Sequence, residues 1–328
     1  MPINTVELEK IDELHNKIST YRPFSDENLL RQIQDFYRVD CTWSSNAIEG
    51  STYTLSETKI LLEDGLTAGG KPLRDAIAVI GHGKAYDYMF SILSASCVRE
   101  NDILYMHSLL SGSLENNAQA GKYRNNLVLV TGSKYSTAAY KDIPKKMSLL
   151  LRDQDRLLVN NHPVVAAAKM HKEFVFIHPF GDGNGRIARL LMNCILLQHG
   201  FLPISIPPVL RNEYVQSLEK AHNNDDDFVN MIIRAEYETE KDFLRMINDN
   251  IQVDETMDYI DIEKVPYTEQ TEKIVREALN SCKNRPGVNP EDLQKSIRSD
   301  LQYIVKEYTG YWVQIPPDGD FEWRDTKD

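Results

Sequence analysis

Nowhere in the 328-residue sequence do apolar residues run on for the roughly 18 positions that a membrane-spanning helix needs, so no spanning segment is expected. Cysteine is scarce. Cys41, Cys97, Cys194 and Cys282 lie far apart, with neither CxxC nor Cys/His metal spacing. Three of them fall in helix-like apolar patterns, where a buried free thiol is the ordinary outcome. The opening MPINTVELEKIDELHNKI is charged and lacks a signal-peptide apolar run, so a reducing cytoplasm is the expected setting. Basic residues are outnumbered, 37 against 49 acidic ones, for a formal charge of -12. That balance argues against a broad nucleic-acid surface, although it permits a small basic pocket for a phosphorylated ligand. No internal repeat or low-complexity tract is present.

What remains is an ordinary soluble composition, 41% apolar and 26% charged, in a chain long enough for a large domain and a smaller one. Most of it reads as helix. Apolar positions recur at helical spacing over 5–19, 26–42, 55–64 and 72–97, in a short piece from Asp102 to Leu110, and from Ile143 to Asn160. Two β-prone runs, Leu127–Thr131 and Lys134–Thr137, flank Gly132 and Ser133 and predict a hairpin. His162-Pro163 then opens a helix striped by Ala167, Met170, Phe174 and Ile177. A second apolar helix runs from Arg186 to about His199 and stops at Gly200. Further helices are expected near Glu213–His222 and Phe228–Ile251. An acidic linker follows over Gln252–Pro266, then helices near 268–283 and 290–308 and a short strand over Tyr311–Ile315. The tail's helices flank Asn284-Arg285-Pro286-Gly287 like a helix-turn-helix, but its mixed charge offers no basic reading face, and packing or target docking is the expected role.

Between the two apolar helices lies HPFGDGNGRIAR, His178 to Arg189. Gly181, Gly183 and Gly185 let the loop turn tightly and aim backbone N–H groups at one point. The next helix starts at once, so its free amides and positive dipole end face the same point. Arg186 and Arg189, three apart, share a helical face. These features describe an anion cradle suited to a polyphosphate. Asp182 supplies a hard oxygen ligand of the kind Mg²⁺ takes beside substrate phosphates. His178 is the one side chain there able to accept a proton near neutral pH. Taken singly, a Gly-rich loop is usually a turn and paired arginines a solvated face; within twelve residues they point together to phosphate chemistry. A P-loop would need Lys-Ser/Thr where Arg186-Ile187 stand, and a dinucleotide fingerprint would need a preceding strand.

The segment resembles the signature of the Fic family, HxFx(D/E)GN(G/K)RxxR, at every specified position: His178, Phe180, Asp182, Gly183, Asn184, Gly185, Arg186 and Arg189. The resemblance extends over roughly residues 100–235 and to the region around Trp43–Leu55. It implies a mainly α fold: a Fic-type helical core over 100–251 with a short β-hairpin flap, an N-terminal helical region over 1–99, and a linker and small C-terminal helical unit over 252–328. It implies transfer of AMP from ATP to a Ser, Thr or Tyr hydroxyl of a protein target, the chain itself included. In that reaction His178 would be the general base and Asp182 would hold Mg²⁺. Gly183, Asn184 and Gly185 would line an anion hole, and Arg186 and Arg189 would hold the β- and γ-phosphates. Phe180 would anchor the loop. Gly185, where the Doc branch carries Lys, favours adenylyl transfer over phosphorylation. Tyr214 matches a position associated with the nucleotide base, and His222 stands where some members carry Asn. Members often self-associate, so a homodimer is among the expectations.

Upstream, Ser45-Asn46-Ala47-Ile48-Glu49-Gly50 matches the family's inhibitory pattern (S/T)xxxE(G/N). Ser45 and Glu49 share a face if this is one helical turn, and Gly50 is a suitable terminator. A carboxylate reaching Arg189 would occupy the group meant for the γ-phosphate. Two alternatives accompany this reading: removal of AMP from a modified protein, with Glu49 orienting water, and a regulatory nucleotide-binding protein without transfer activity.

Overall fold

The computed structural model describes residues 2–21, 27–95, 97–111, 119–247, 259–261 and 312–314. Residues 1–248 make one compact unit and residues 249–328 another. Eleven α-helices occur among the described residues. They are α1 (Thr5–Ser19), α2 (Glu27–Ile48), α3 (Leu55–Asp64), α4 (Leu73–Ser91), α5 (Glu100–Ser111), α6 (Ile143–Arg152), α7 (Gln154–Asn160), α8 (Pro163–Ile177), α9 (Asn184–Gln198), α10 (Arg211–Lys220) and α11 (Asp226–Ile247). The mainly helical fold expected from periodicity is the one observed.

Helices α8 and α9 form the middle of the first unit. Pro163 starts α8 with its φ already helical, and the His162 ring caps it by accepting the Val164 N–H at 3.2 Å. Val164, Ala167, Phe174, Ile187, Leu191 and Cys194 are fully or almost fully buried between this pair and its neighbours. Each large apolar side chain withdrawn from water contributes about 1.5–3 kcal/mol. The N-terminal helices share that core. Ile11 and Ile18 of α1 lie in it where α1 packs on α11, and α4 spans α2 and α5. A smaller cluster of Tyr53, Leu61, Ala76 and Val79 joins α3 to α4. At the start of α3, Thr54 and Glu57 form a reciprocal capping box.

Several boundaries depart from the periodicity for tertiary reasons. The 143–160 stretch is two helices, broken at Asp153. Beside the break, the buried Gln154 donates to Val98 O at 3.0 Å and accepts from Val98 N at 3.3 Å, a tie that a continuous helix would not impose. Helix α4 ends at Ser91 rather than near 97, where the chain turns toward that tie. Helix α2 runs on to Ile48, so the 45–50 pattern is the last turn of a 22-residue helix and its exit.

The segment 126–137 does not become a β-hairpin. No strand is assigned within 119–139, and Ser133 N–H to Val130 O, 3.1 Å, is the backbone bond at its tip. Side chains replace the ladder: Thr137 Oγ1 donates to Val128 O at 2.8 Å, and Arg124 grips both arms. In the second unit, Trp312–Gln314 is extended as expected. It pairs in parallel with Tyr259–Asp261, within the stretch read as linker. The expected helices at 268–283 and 290–308 lie outside the described residues.

Phe174, wholly buried at the α8–α9 seam, tests the core directly. Phe174→Ala is expected to cost about 3–5 kcal/mol in urea unfolding, and a loss under about 1 kcal/mol would contradict its central position.

Candidate active site

The loop joining α8 to α9 is fixed from several sides. Helix α8 closes with His178 in the left-handed conformation, φ 52°, its N–H bonded to Phe174 O at 3.0 Å. It is the one non-glycine residue of positive φ among those described, a conformation costing an L-residue about 1–2 kcal/mol. Asn184 spends both ends of its amide on one residue, accepting from Phe180 N and donating to Phe180 O, each at 2.9 Å. Its side chain thus staples the loop, leaving its backbone amide at the head of α9 to face an anion. Phe180 is fully buried and stacks on the His107 ring, centroids 3.7 Å apart. His107 accepts from Gly121 N at Nδ1, 3.0 Å, so Nε2 carries the proton and donates to Asp182 O at 3.2 Å. Gly183, φ 79°, makes the turn into α9 in a conformation that glycine adopts without steric cost.

His178 Nδ1 lies 3.3 Å from Val175 O. A carbonyl can only accept, so Nδ1 bears the hydrogen and Nε2 keeps its lone pair. Burial lowers the His178 pKa, helped by the Arg124 charge and opposed by the Val175 bond and the carboxylates of Glu49 and Asp182. The ring is thereby held neutral and able to take a proton near pH 7.

Asp182 stands at the mouth, its side chain 92% exposed. Its Oδ1 accepts from Gly183 N at 2.7 Å and its Oδ2 pairs with Arg186 Nη2 at 3.2 Å. Arg186 also reaches Asn46 Oδ1 at 3.5 Å, while its buried Nε has no partner among the described residues. The exposed Asp182 carboxylate suits Mg²⁺, which is usually held by one or two carboxylates and substrate phosphates, while the guanidinium donors beside it suit the phosphates. No cluster of three acidic, His or Cys side chains that could hold a metal without substrate occurs among the described residues.

Arg189 is buried and nearly saturated. Its Nε donates to Ser45 Oγ at 2.9 Å, and Nη2 donates to Ser45 O at 2.9 Å and Glu49 Oε1 at 2.8 Å. Nη1 donates to Tyr214 OH at 3.2 Å. That hydroxyl lies 2.9 Å from His171 Nε2, which accepts its proton. Burial works against the Arg189 charge, but Tyr214 and Glu49 outweigh it and its pKa is raised. Tyr214 therefore sits beneath the guanidinium, buried, rather than on an open face. The Glu49 carboxylate, 42% exposed, crosses the head of α9, where a Cβ on Gly185 would overlap its Oε1. Gly50, φ 94°, turns the chain away just after it.

The sequence thus brings His178, Asp182, Gly183, Asn184, Gly185, Arg186, Arg189, Tyr214, Ser45 and Glu49 to one end of α9. It did not reveal Arg124, His107, His171 or Arg211. Arg211 donates from Nε to Ile48 O at 2.7 Å and so caps the last turn of α2. The single Arg in GKYRNN, before a β-prone run, was the available signal for Arg124. The others look like common surface or core positions. His222 lies stacked between Tyr135 and Phe176, with centroids at 3.8 and 3.7 Å. Glu219 accepts from Ser133 Oγ at 2.8 Å and Lys134 N at 2.7 Å, so the 126–137 tip docks on the end of α10.

Two imidazoles around the arginines stay neutral. Burial pushes His82 and His171 from 6.5 down to about 3, aided by the nearby guanidinium charges. Unfolded, each takes a proton near its ordinary value, so stability is present above about pH 6.5 and lost as pH falls toward 3. Urea midpoints should drop from pH 7 to 4, and less steeply in His171→Gln. An unchanged slope in that variant would contradict a buried neutral ring at 171.

Residues 97–196 match the model of the Fic/DOC family. The chain is 35% identical over 236 residues to the protein adenylyltransferase Fic of Nematostella vectensis, covering 70% of this chain and 53% of that one. Among solved structures, Fic-1 (residues 134–508) of C. elegans superposes with a TM-score of 0.66 at 26% identity, over 74% of this chain and 73% of that one. A Fic-domain signaling protein of Bacteroides thetaiotaomicron gives 0.65 at 25% identity, over 71% and 95%. The chain spans about half the length of the curated relatives it matches. With the motif, the helical core and these matches in agreement, the chain carries a Fic domain of the Fic/DOC family over residues 97–196.

Proposed function

We propose that this protein is a protein adenylyltransferase, moving AMP from ATP onto a Ser, Thr or Tyr hydroxyl of a target protein or of itself, and that Glu49 restrains it. The single observation carrying this reading is the His178 ring, its Nδ1 turned to Val175 O so that Nε2 is left to take a proton, beside the head of α9 that carries Arg186 and Arg189. The curated relatives bear the name of that activity.

In the proposed step the acceptor oxygen attacks the α-phosphorus and its proton passes to His178 Nε2. A new O–P bond forms, the bond from the α-phosphorus to the bridging oxygen breaks, and pyrophosphate leaves with that electron pair. A positioned base of this kind contributes about 10²–10⁴ in rate. Backbone amides at Gly183, Asn184 and Gly185 and the α9 dipole stabilise charge growing on the phosphate oxygens. Arg186 and Arg189 hold the β- and γ-phosphates. Asp182 would hold Mg²⁺, which when bound supplies charge neutralisation at the α- and β-phosphates. The extended 126–137 segment, with Leu127 and Leu129 exposed and no ladder of its own, leaves backbone groups to align a target strand.

Glu49 opposes this by occupying Arg189. With its γ-phosphate displaced, ATP would bind askew, and a misplacement near 1 Å can cost about a hundredfold in rate. The partly exposed carboxylate at the same mouth also gives a second reading, removal of AMP by a water that Glu49 orients. Incubating an AMP-modified target with wild type and Glu49→Gly separates the two directions. A cytoplasmic setting and a homodimer remain parts of the proposal. No helix among the described residues is long and apolar enough to cross a membrane.

Glu49→Gly is expected to raise incorporation of labelled AMP by about a hundredfold. His178→Ala in that background should lower it by about 10²–10⁴ while ATP binding persists. Unchanged incorporation in the first variant defeats the restraint, and full transfer in the second removes His178 as the base.

A further inference from the structure

Arg124 is buried to 4% exposure, yet the partners of its guanidinium are neutral oxygens and no carboxylate. A buried cation without an anionic partner is costly, and burial alone lowers its pKa. Arg124 is therefore no surface salt-bridge residue.

It holds two things. On one side its backbone N–H donates to Pro179 O at 2.9 Å and its Nε to His178 O at 2.8 Å, gripping the left-handed end of α8. On the other, Nη1 donates to Asn126 O at 2.6 Å, and Nη2 to Thr137 Oγ1 at 3.2 Å and to Ala138 O. Asn126 and Thr137–Ala138 are the two roots of the extended segment, which has no strand pairing to fix its own shape. One planar fork thus spans the base's backbone and both arms of the loop that would present the acceptor.

We propose, resting on the transfer reaction above, that Arg124 is a positioning residue for that reaction: it holds His178 in its left-handed conformation and sets the distance from the imidazole to the acceptor hydroxyl. A strained backbone conformation persists only where its surroundings over-determine it, and Arg124 supplies two bonds to that turn. Lys cannot replace it, because one ammonium cannot reach donor directions that a rigid guanidinium spans. The Arg124 charge also faces the His178 ring, together with Glu49 from the turn after α2 and Asp182 from the ring's own loop. Loss of that charge should let the imidazole titrate at higher pH.

The test uses the full chain carrying Glu49→Gly, with Arg124→Met and Arg124→Lys added separately. Three quantities are measured: kcat and KM for AMP transfer, the Kd of ATP with Mg²⁺, and the His178 titration by imidazole NMR. Arg124→Met should lower kcat by about a hundredfold while nucleotide Kd stays within about twofold, and the His178 titration should move upward. Arg124→Lys should restore the titration but not kcat. A folded Met variant with kcat within about threefold of its parent overturns the proposal, as does a joint collapse of kcat and nucleotide affinity. If Met unfolds the protein, Lys decides by its kcat against the same limits. If the Glu49→Gly parent transfers nothing, the transfer reading fails by itself. The NMR arm then decides for Arg124 alone: an altered His178 titration and loss of its Nδ1–H tautomer in the Met variant uphold the grip, and an unchanged ring overturns it.

Discussion

A permanent cation buried at the head of a core helix is the constraint on which the rest depends. Arg189 cannot give up its charge, so the fold must surround its guanidinium with acceptors or leave an expensive gap. Ser45, Glu49 and Tyr214 meet that demand; the first two come from the end of α2 and the turn after it, about 140 residues before Arg189, and the third from α10, the next α-helix along the chain. The need to satisfy Arg189 thereby fixes where the last turn of α2 and the start of α10 lie. Burial, aided by the same charge, keeps the neighbouring His171 neutral, which lets its ring accept from Tyr214 and close the network.

This arrangement makes catalysis and restraint two uses of one donor set, in the reading proposed above. A phosphate seated on Arg189 and a carboxylate seated on it satisfy the same N–H groups, so neither state leaves the cation unpaired. Gly185 matters here for what it lacks. Any side chain at that place would push on Glu49, so a bare helix start serves both close approach of an anion and close approach of the carboxylate. Arg211 adds a further hold by capping the Ile48 carbonyl, and it anchors the turn from which Glu49 projects.

Much of this was legible in the sequence because it is local. Glycines at alternate positions, a helix starting after them and arginines three apart are short-range patterns whose geometry follows from the backbone. Ser45 and Glu49 were readable for the same reason, once spaced by a helical turn. What escaped depended on contacts across the chain. Gln154 breaks a regular helical pattern by binding Val98, and Arg124 turns a β-prone hairpin into a loop by taking the carbonyls that define its roots. Neither residue differs in type from surface residues elsewhere, so only its distant partners distinguish it. Asn184 shows the subtler case: its place in the loop was evident, but its side chain spends itself on Phe180.

Competition between the Glu49 carboxylate and a terminal phosphate for Arg189 is open to a direct measurement by calorimetry. Affinities of ATP and ADP, each with Mg²⁺, would be compared in wild type and in a Glu49→Gln variant. ADP lacks the phosphate that would displace Glu49, so its affinity should be the same in both proteins. ATP should gain about tenfold, or 1.4 kcal/mol, only when the carboxylate is gone. An equal ATP-to-ADP ratio in the two proteins would contradict a shared seat on Arg189.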